Sequence, residues 1–426
     1  MAEFTASVYQ NEFLPDGGTD VNAIVTVTCR GAGEAGRSGA GDAGEIIIVD
    51  TSGSMGRTRL EAAKLAAAAA VDQIIDGTWF AIVAGTHQAY LAYPPARAGA
   101  GMVKMDPNAR FAAQQAIAQF RSDGGTAMGT WLTLAGRLFD SIPLLNQRHA
   151  ILLTDGENHN ENPEQLDAAI RGVTGKFQCD CRGVGVDWQV AEVRRIAQAL
   201  LGSVDIVPQP EAMAQVFADL MLQSMSRGVA DAQLRVWAPQ GSEVMFVRQV
   251  SPTVEDLTAR RVTVNPLTGG YPTGSWADES RDYHVGIRLS AKGLGQEQLA
   301  ARVQLAMNDA VMAQGLVKAR WSDDDQLTTR ISPEVAHYTG QTELADAIQE
   351  GLAAKAAGDD ATATTKLGRA VQLAAQTGND EATSRLRKVV DIDDVDTGTV
   401  RLKRTVDKAD EMALDTASTK TTRVRG

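Results

Sequence analysis

Asp50, Ser52 and Ser54 stand at i, i+2 and i+4 in the stretch EIIIVDTSGSM, residues 45–55. Together they offer one carboxylate and two hydroxyls. Such hard oxygen donors suit Mg2+ or Mn2+ and serve zinc or copper poorly. The three isoleucines and the valine before Asp50 make an apolar run too short for a helix, and its β-branching suits a buried parallel strand. The following TSGSM turns into an alanine-rich segment that reads as helix. The trio therefore sits at the carboxyl end of a central strand, where open α/β sheets bind ligands. Standing alone, the same residues would be read as caps of the following helix.

Two later stretches supply matching pieces. Residues 122–132, SDGGTAMGTWL, place Thr126 after a Gly-Gly turn and before a helix, and residues 151–157, ILLTDGE, form a second apolar strand ending in Asp155. With DTSGS, these stretches resemble the von Willebrand factor type A (VWA) family and its metal-ion-dependent adhesion site. The family pattern is D-x-S-x-S, a threonine in a G-G-T turn, and an aspartate after the next buried strand. The resemblance spans residues 44–228 and points to a bacterial, actinobacterial-like multidomain type. It implies a metal set of Asp50, Ser52, Ser54, Thr126 and Asp155, with Mg2+ as the ion and Mn2+ or Ca2+ as alternatives.

Mg2+ takes six oxygens in near-octahedral order and usually keeps waters. In the family the remaining position is filled by an acidic side chain from a binding partner. The implied function is therefore metal-dependent protein–protein interaction or scaffolding, completed by a partner Asp or Glu. An alternative is a substrate-recruiting subunit for a MoxR-type or chelatase-type AAA+ ATPase, which VWA proteins often serve. A third, less favoured, is a metal-dependent hydrolase. Ser52 or Ser54 with His159 and Asp155 make a triad on paper. The G-x-S-x-G elbow is absent, however, and metal-assisted hydrolases usually need a denser carboxylate and histidine set. The expectation is a protein that is not an enzyme, with no catalytic residue and no organic cofactor.

The elements that must position these residues follow from residue 45 onward. Strands are expected at 45–50, 79–84, 87–92, 149–154, 178–185 and 203–207, and helices near 58–76, 108–121, 129–142, 163–174, 188–201 and 210–226. Alternating strands and helices give a doubly wound, mostly parallel six-stranded sheet of Rossmann-like α/β type. Strand 87–92, a tight turn from its predecessor, is expected to be an antiparallel edge. His87 and His149 are read as packing residues and His159 as a solvated loop residue. Cys179 and Cys181 lie on one strand face without a second pair, so they read as core rather than zinc ligands.

The rest of the chain has a different character. Residues 1–29 read as a hairpin too small to stand alone, and 30–44 as a glycine-rich linker whose G-x-G-x-x-G lacks the strand-to-helix context of a dinucleotide site. From 229 to 325, six short strands (233–238, 244–250, 257–264, 282–289, 299–307, 316–321) indicate an antiparallel β-sandwich, with residues 265–274 as a turn. The hairpin is expected to complete this sandwich, which makes the 45–228 VWA domain an insertion. Residues 330–391 read as a helical hairpin or small bundle, resembling a tetratricopeptide hairpin. DIDDVD at 391–396 fails the EF-hand spacing. Residues 392–426 are expected to be a flexible tail, whose Thr416, Ser418, Thr419, Thr421 and Thr422 could be phosphorylated for a phosphothreonine-reading partner.

Among 426 residues, 41 are basic and 53 acidic, for a net charge of −12, which argues against nucleic acid or an anionic membrane as a partner. No apolar run is long enough to span a bilayer, the amino terminus lacks a signal-peptide pattern, and three cysteines make no disulfide framework. The expected location is the cytoplasm.

Overall fold

The computed structural model describes residues 2–33, 42–95, 101–307 and 309–424. They divide into two compact units. One comprises Gly31–Ala230 with Gly274–Ala277, and the other Glu3–Arg30, Asp231–Thr273 and Asp278–Gly426. Residues 34–41, most of the glycine-rich stretch and the last glycine of its G-x-G-x-x-G, lie outside the described residues. No described helix is long and apolar enough to cross a membrane.

In chain order the elements begin with strands β1 (Glu3–Gln10), β2 (Phe13–Leu14) and β3 (Asp20–Arg30). The first unit then runs β4 (Ala43–Asp50), α1 (Gly56–Gln73), β5 (Trp79–Gly85), β6 (Ala89–Tyr93), β7 (Val103–Lys104), α2 (Pro107–Ala118) and α3 (Met128–Asp140). It continues through β8 (Gln147–Thr154), α4 (Pro163–Val173), β9 (Gln178–Val184), α5 (Val190–Ala199), β10 (Val204–Val207) and α6 (Met213–Met225). Its sheet has the order β10-β9-β8-β4-β5-β6, with short β7 pairing β5. All neighbours are parallel except β6 and β7, which run antiparallel to β5.

Strand β4 is buried along its whole length at the centre of that sheet. Its alternation sends Ile47 and Val49 into a core with α1 and α6, while a side chain on Gly44 would collide with Phe139 and Leu145 on the opposite face. Helix α1 presents Leu60, Ala63, Ala66, Ala67, Ala70 and Val71 to the core, a helical stripe whose small residues let the helix approach closely. Helix α4 is started by a capping box, in which Asn162 and Gln165 satisfy each other's backbone N–H groups.

At the amino-terminal end of the same strands lies a buried charge cluster. His149 bonds Glu45 through Nδ1 at 2.7 Å and Asp180 through Nε2 at 2.9 Å. The Ser224 hydroxyl donates to Glu45, Arg227 Nη2 to Asp180, and the Gln147 side-chain amide to Arg227 O, so the end of α6 and the residues just after it are tied to three strands at once. Cys179 and Cys181 are core residues with sulfurs 3.9 Å apart. Burial disfavours the His149 imidazolium, but the Glu45 charge and the Asp180 hydrogen bond outweigh it and hold its pKa above 6.5.

The second unit contains β11 (Val229–Trp237, shared at its start), β12 (Glu243–Ser251), β13 (Glu255–Asp256), β14 (Val262–Asn265), β15 (Thr268–Trp276, shared at its end), β16 (Ser280–Arg288), β17 (Glu297–Met307) and β18 (Ala310–Trp321). Two sheets form, β1-β3-β16-β12-β13 and β14-β15-β11-β17-β18-β2. Thus the amino-terminal strands lie in the sandwich, β3 against β16 and tiny β2 beside β18 in a parallel pair. Residues 265–274, expected as a turn, are mostly strand β15. The glycines that suggested a turn instead admit neighbours across the strand. A side chain on Gly270 would lie 2.3 Å from Gln233 Oε1, and one on Gly269 would lie 2.6 Å from Arg261.

Helices α7 (Asp325–Thr328), α8 (Pro333–Ala356), α9 (Asp360–Gln376) and α10 (Asp380–Val389) follow, with β19 (Val390–Asp394), β20 (Thr399–Leu402) and α11 (Lys408–Ala417). The flexible tail expected from composition is therefore corrected. Val390, Val400 and Leu414 join the core of α8, α9 and α10. The apolar residues of this segment are few but regularly placed, which composition averages away. Thr416 and Ser418 are buried, and the Thr421 hydroxyl donates to Val250 O. Asp282, also buried, accepts from Thr26 and Tyr338 at 2.5 Å and from Arg423 at 3.1 Å.

His149→Ala leaves Glu45 and Asp180 as buried carboxylates without their shared donor. The expected cost is about 3–5 kcal/mol, read as a lower urea midpoint for the first unit. Because the folded pKa is raised, the His149 contribution is complete below pH 6.5 and is lost as pH rises through the folded value. Wild type should therefore lose stability on that side of the scale through a slope that the variant lacks.

Candidate metal centre

Three turns converge at the carboxyl end of the first unit's sheet. The DTSGS turn leaves β4, the SDGGT turn precedes α3, and the segment DGENHNE follows β8. Backbone hydrogen bonds tie the first two, Gly53 N to Gly124 O at 2.8 Å and Asp123 N to Thr51 O at 2.9 Å, and the Ser122 hydroxyl donates to Ser52 O at 2.7 Å. Gly124, at φ +73°, takes the left-handed conformation that this turn needs.

The Asp50 carboxylate is fully buried. Its Oδ1 accepts from Ser52 N at 2.8 Å and its Oδ2 from the Thr154 hydroxyl at 2.7 Å. Burial pushes its pKa up to about 6 against the lowering pull of those hydrogen bonds. Ser52 Oγ lies 2.8 Å from Ser54 Oγ, and Ser54 Oγ donates to Asp155 Oδ1 at 2.7 Å. Thr126 reaches the group across Gly156. A side chain on Gly156 would lie 2.9 Å from Ser54 Oγ and 3.4 Å from Thr126 Oγ1. All five residues named from the sequence are thus drawn together around a space that Gly156 leaves open.

Two carboxylates and three hydroxyls around such a space fit a small, hard divalent cation, which these five side chains could hold. Among the described residues, no group of three or more His, Cys, Asp and Glu side chains is placed to hold a metal. His159, by contrast, is well exposed and lies 3.5 Å from Glu157.

Several positioning residues carry no motif that sequence reading could use. Asn160 Oδ1 accepts from Thr126 N, Asn158 Oδ1 from Met128 N, and Glu161 Oε2 from Gly129 N. One side of the Thr126 turn is therefore clamped by the polar run after Asp155, whose only signal was its density of amides and acids. On the other side, Thr86 O accepts from Ala127 N and from the Trp131 indole at 2.7 Å. The indole lies where a Gly85 side chain would be, 2.3 Å away. Arg59 and Asp187 complete the rim, since Arg59 bridges Asp155 and Asp187.

Residues 46–157 match the von Willebrand factor type A domain family, and residues 372–418 match the von Willebrand factor type A C-terminal domain. A solved structure of a von Willebrand factor type A protein from Catenulispora acidiphila shares 47% of its residues with this chain. The match covers 99% of this chain and 97% of that one, with a TM-score of 0.93. The chain belongs to the von Willebrand factor type A family. The ArnB paralog VWA2 from Sulfolobus acidocaldarius has the same fold at 15% identity, covering 98% of each chain, with a TM-score of 0.58. The uncharacterized protein sll0103 of Synechocystis is 29% identical over 220 residues, and this VWA protein spans about half of that relative's length. The C-terminal match falls largely on the segment from which a loose tail was expected.

Asn160→Ala and Gly125→Ala both unfasten the Thr126 turn, since a Gly125 side chain would lie 1.8 Å from Asn160 Oδ1. Each should weaken divalent-cation binding about 10–100-fold, the usual loss when a ligand's supporting hydrogen bond is removed. Titration calorimetry measures this, and unchanged affinity would mean that Thr126 needs no such support.

Proposed function

We propose that this VWA protein binds another protein through Mg2+ held by Asp50, Ser52, Ser54, Thr126 and Asp155, with a carboxylate of the partner as the last ligand. The observation that carries the reading is the convergence of those five side chains at the exposed mouth of a buried carboxylate site. Three neutral hydroxyls and two carboxylates leave a six-coordinate ion short of oxygens. An Asp or Glu supplied by a partner adds both an oxygen and a negative charge. Mn2+ or Ca2+ could substitute, since both accept the same hard donors.

The role proposed is binding, without catalysis. Ser52 and Ser54 spend their hydroxyls on each other and on Asp155, while the His159 side chain lies beside Glu157. A serine nucleophile needs a base within hydrogen-bond reach, and this arrangement favours ligation over activation.

Partner capture from native lysate tests the reading. Wild type and Asp155→Ala are each presented with Mg2+ and with EDTA. A protein retained only by wild type in Mg2+ is the expected outcome, and its identity would distinguish an AAA+ ATPase from other partners. Equal retention in all four samples would remove the metal site as the binding surface.

A further inference from the structure

A cation already sits against one of the two carboxylates of this site. Arg59, on α1, donates from Nη1 to Asp155 Oδ2 and from Nη2 to Asp187 Oδ2, each at 2.7 Å. The Asp155 side chain is fully buried, that of Arg59 is 29% exposed, and that of Asp187 is 54% exposed. The remaining Asp155 oxygen accepts from Ser54. The guanidinium occupies a cradle. Gly185, at φ +67°, lies under it, and a side chain there would be in ordinary contact with Nη2 at 3.4 Å. Trp188 fills the space left by Gly183, and its indole donates to Gly185 O at 3.1 Å, which fixes the turn that carries Asp187.

We propose that Arg59 is an internal counter-cation of the metal site, one that lowers the site's own affinity for a divalent ion and makes occupancy depend on the partner's carboxylate. This rests on the binding role proposed above. Asp50 and Asp155 together balance the two charges of the ion. The guanidinium adds a third positive charge beside Asp155, and the incoming partner carboxylate offsets it. Asp187 steers the guanidinium from the solvent side, where its own charge is screened. Metal and partner then bind as a coupled pair, and the metal alone binds weakly.

A plain structural ion pair gives the opposite sign, because losing a positioning contact weakens metal binding. The test titrates MgCl2 and MnCl2 into the full chain at low ionic strength by calorimetry. Wild type is compared with Arg59→Gln, Arg59→Met, Arg59→Lys and, as a site control, Asp50→Ala. Both charge-removing variants should bind about tenfold tighter than wild type, the effect of one charge a few Å from a divalent ion near water. Arg59→Lys should stay near wild type, and added salt should narrow the gap. Melting in EDTA supplies a second readout. Arg59→Gln should melt lower without metal, since buried Asp155 loses its partner, yet gain a larger rise on adding Mg2+.

Binding by wild type that Arg59→Gln and Arg59→Met leave unchanged or weaken would overturn the counter-cation role alone. No binding in any variant would overturn the metal reading and this inference together.

Discussion

A buried carboxylate at the end of a central strand is the constraint on which the first unit depends. Asp50 lies out of water, so each of its oxygens must find a donor or a cation. Ser52 N–H and the Thr154 hydroxyl meet that need, one from its own turn and one from the neighbouring strand. The donor from β8 fixes which residue follows it, and that residue is Asp155. The turn after β4 brings the two serines to the same place. The Gly-Gly-Thr turn is then held against both by backbone and side-chain hydrogen bonds.

The same strand carries a second acid at its other end. Glu45 is buried and shared between His149 and Ser224, so β4 is pinned by polar contacts at both ends and by isoleucines between them. A slip of one residue in register would turn every side chain to the opposite face and leave two buried carboxylates unpartnered. Such a strand has one acceptable position in the sheet. That rigidity suits a site whose ligands must hold place within fractions of an ångström.

The sequence made part of this legible. The metal set lies in three short motifs, each beside a strand or helix with its own periodic signal, and alternating strand and helix patterns announced the parallel sheet. What stayed hidden depends on contacts between distant residues. Thr154 is unremarkable until β8 lies beside β4, and Arg59 looks like any exposed helix residue until α1 brings it over Gly185. Strand β15 was hidden because Thr268–Trp276 is rich in glycine, which local rules assign to turns. The segment after Val390 was masked by its polar composition, although Val390, Val400 and Leu414 are enough to anchor it.

The pairing of β3 with β16 sets an order of events for the ribosome. Thr28 and Ser280, hydrogen-bonded neighbours in the sandwich, are 252 residues apart in the chain. At ordinary rates of translation β3 waits on the order of tens of seconds for this second neighbour. During that interval Ile24, Val25 and Val27, fully buried in the finished sheet, have only β1 beside them. All of the intervening first unit, Gly274–Ala277 included, is synthesised before β16 emerges. The portion of the protein that is made first is therefore completed late, and the nascent chain carries a two-stranded hairpin with an open apolar edge throughout most of its synthesis.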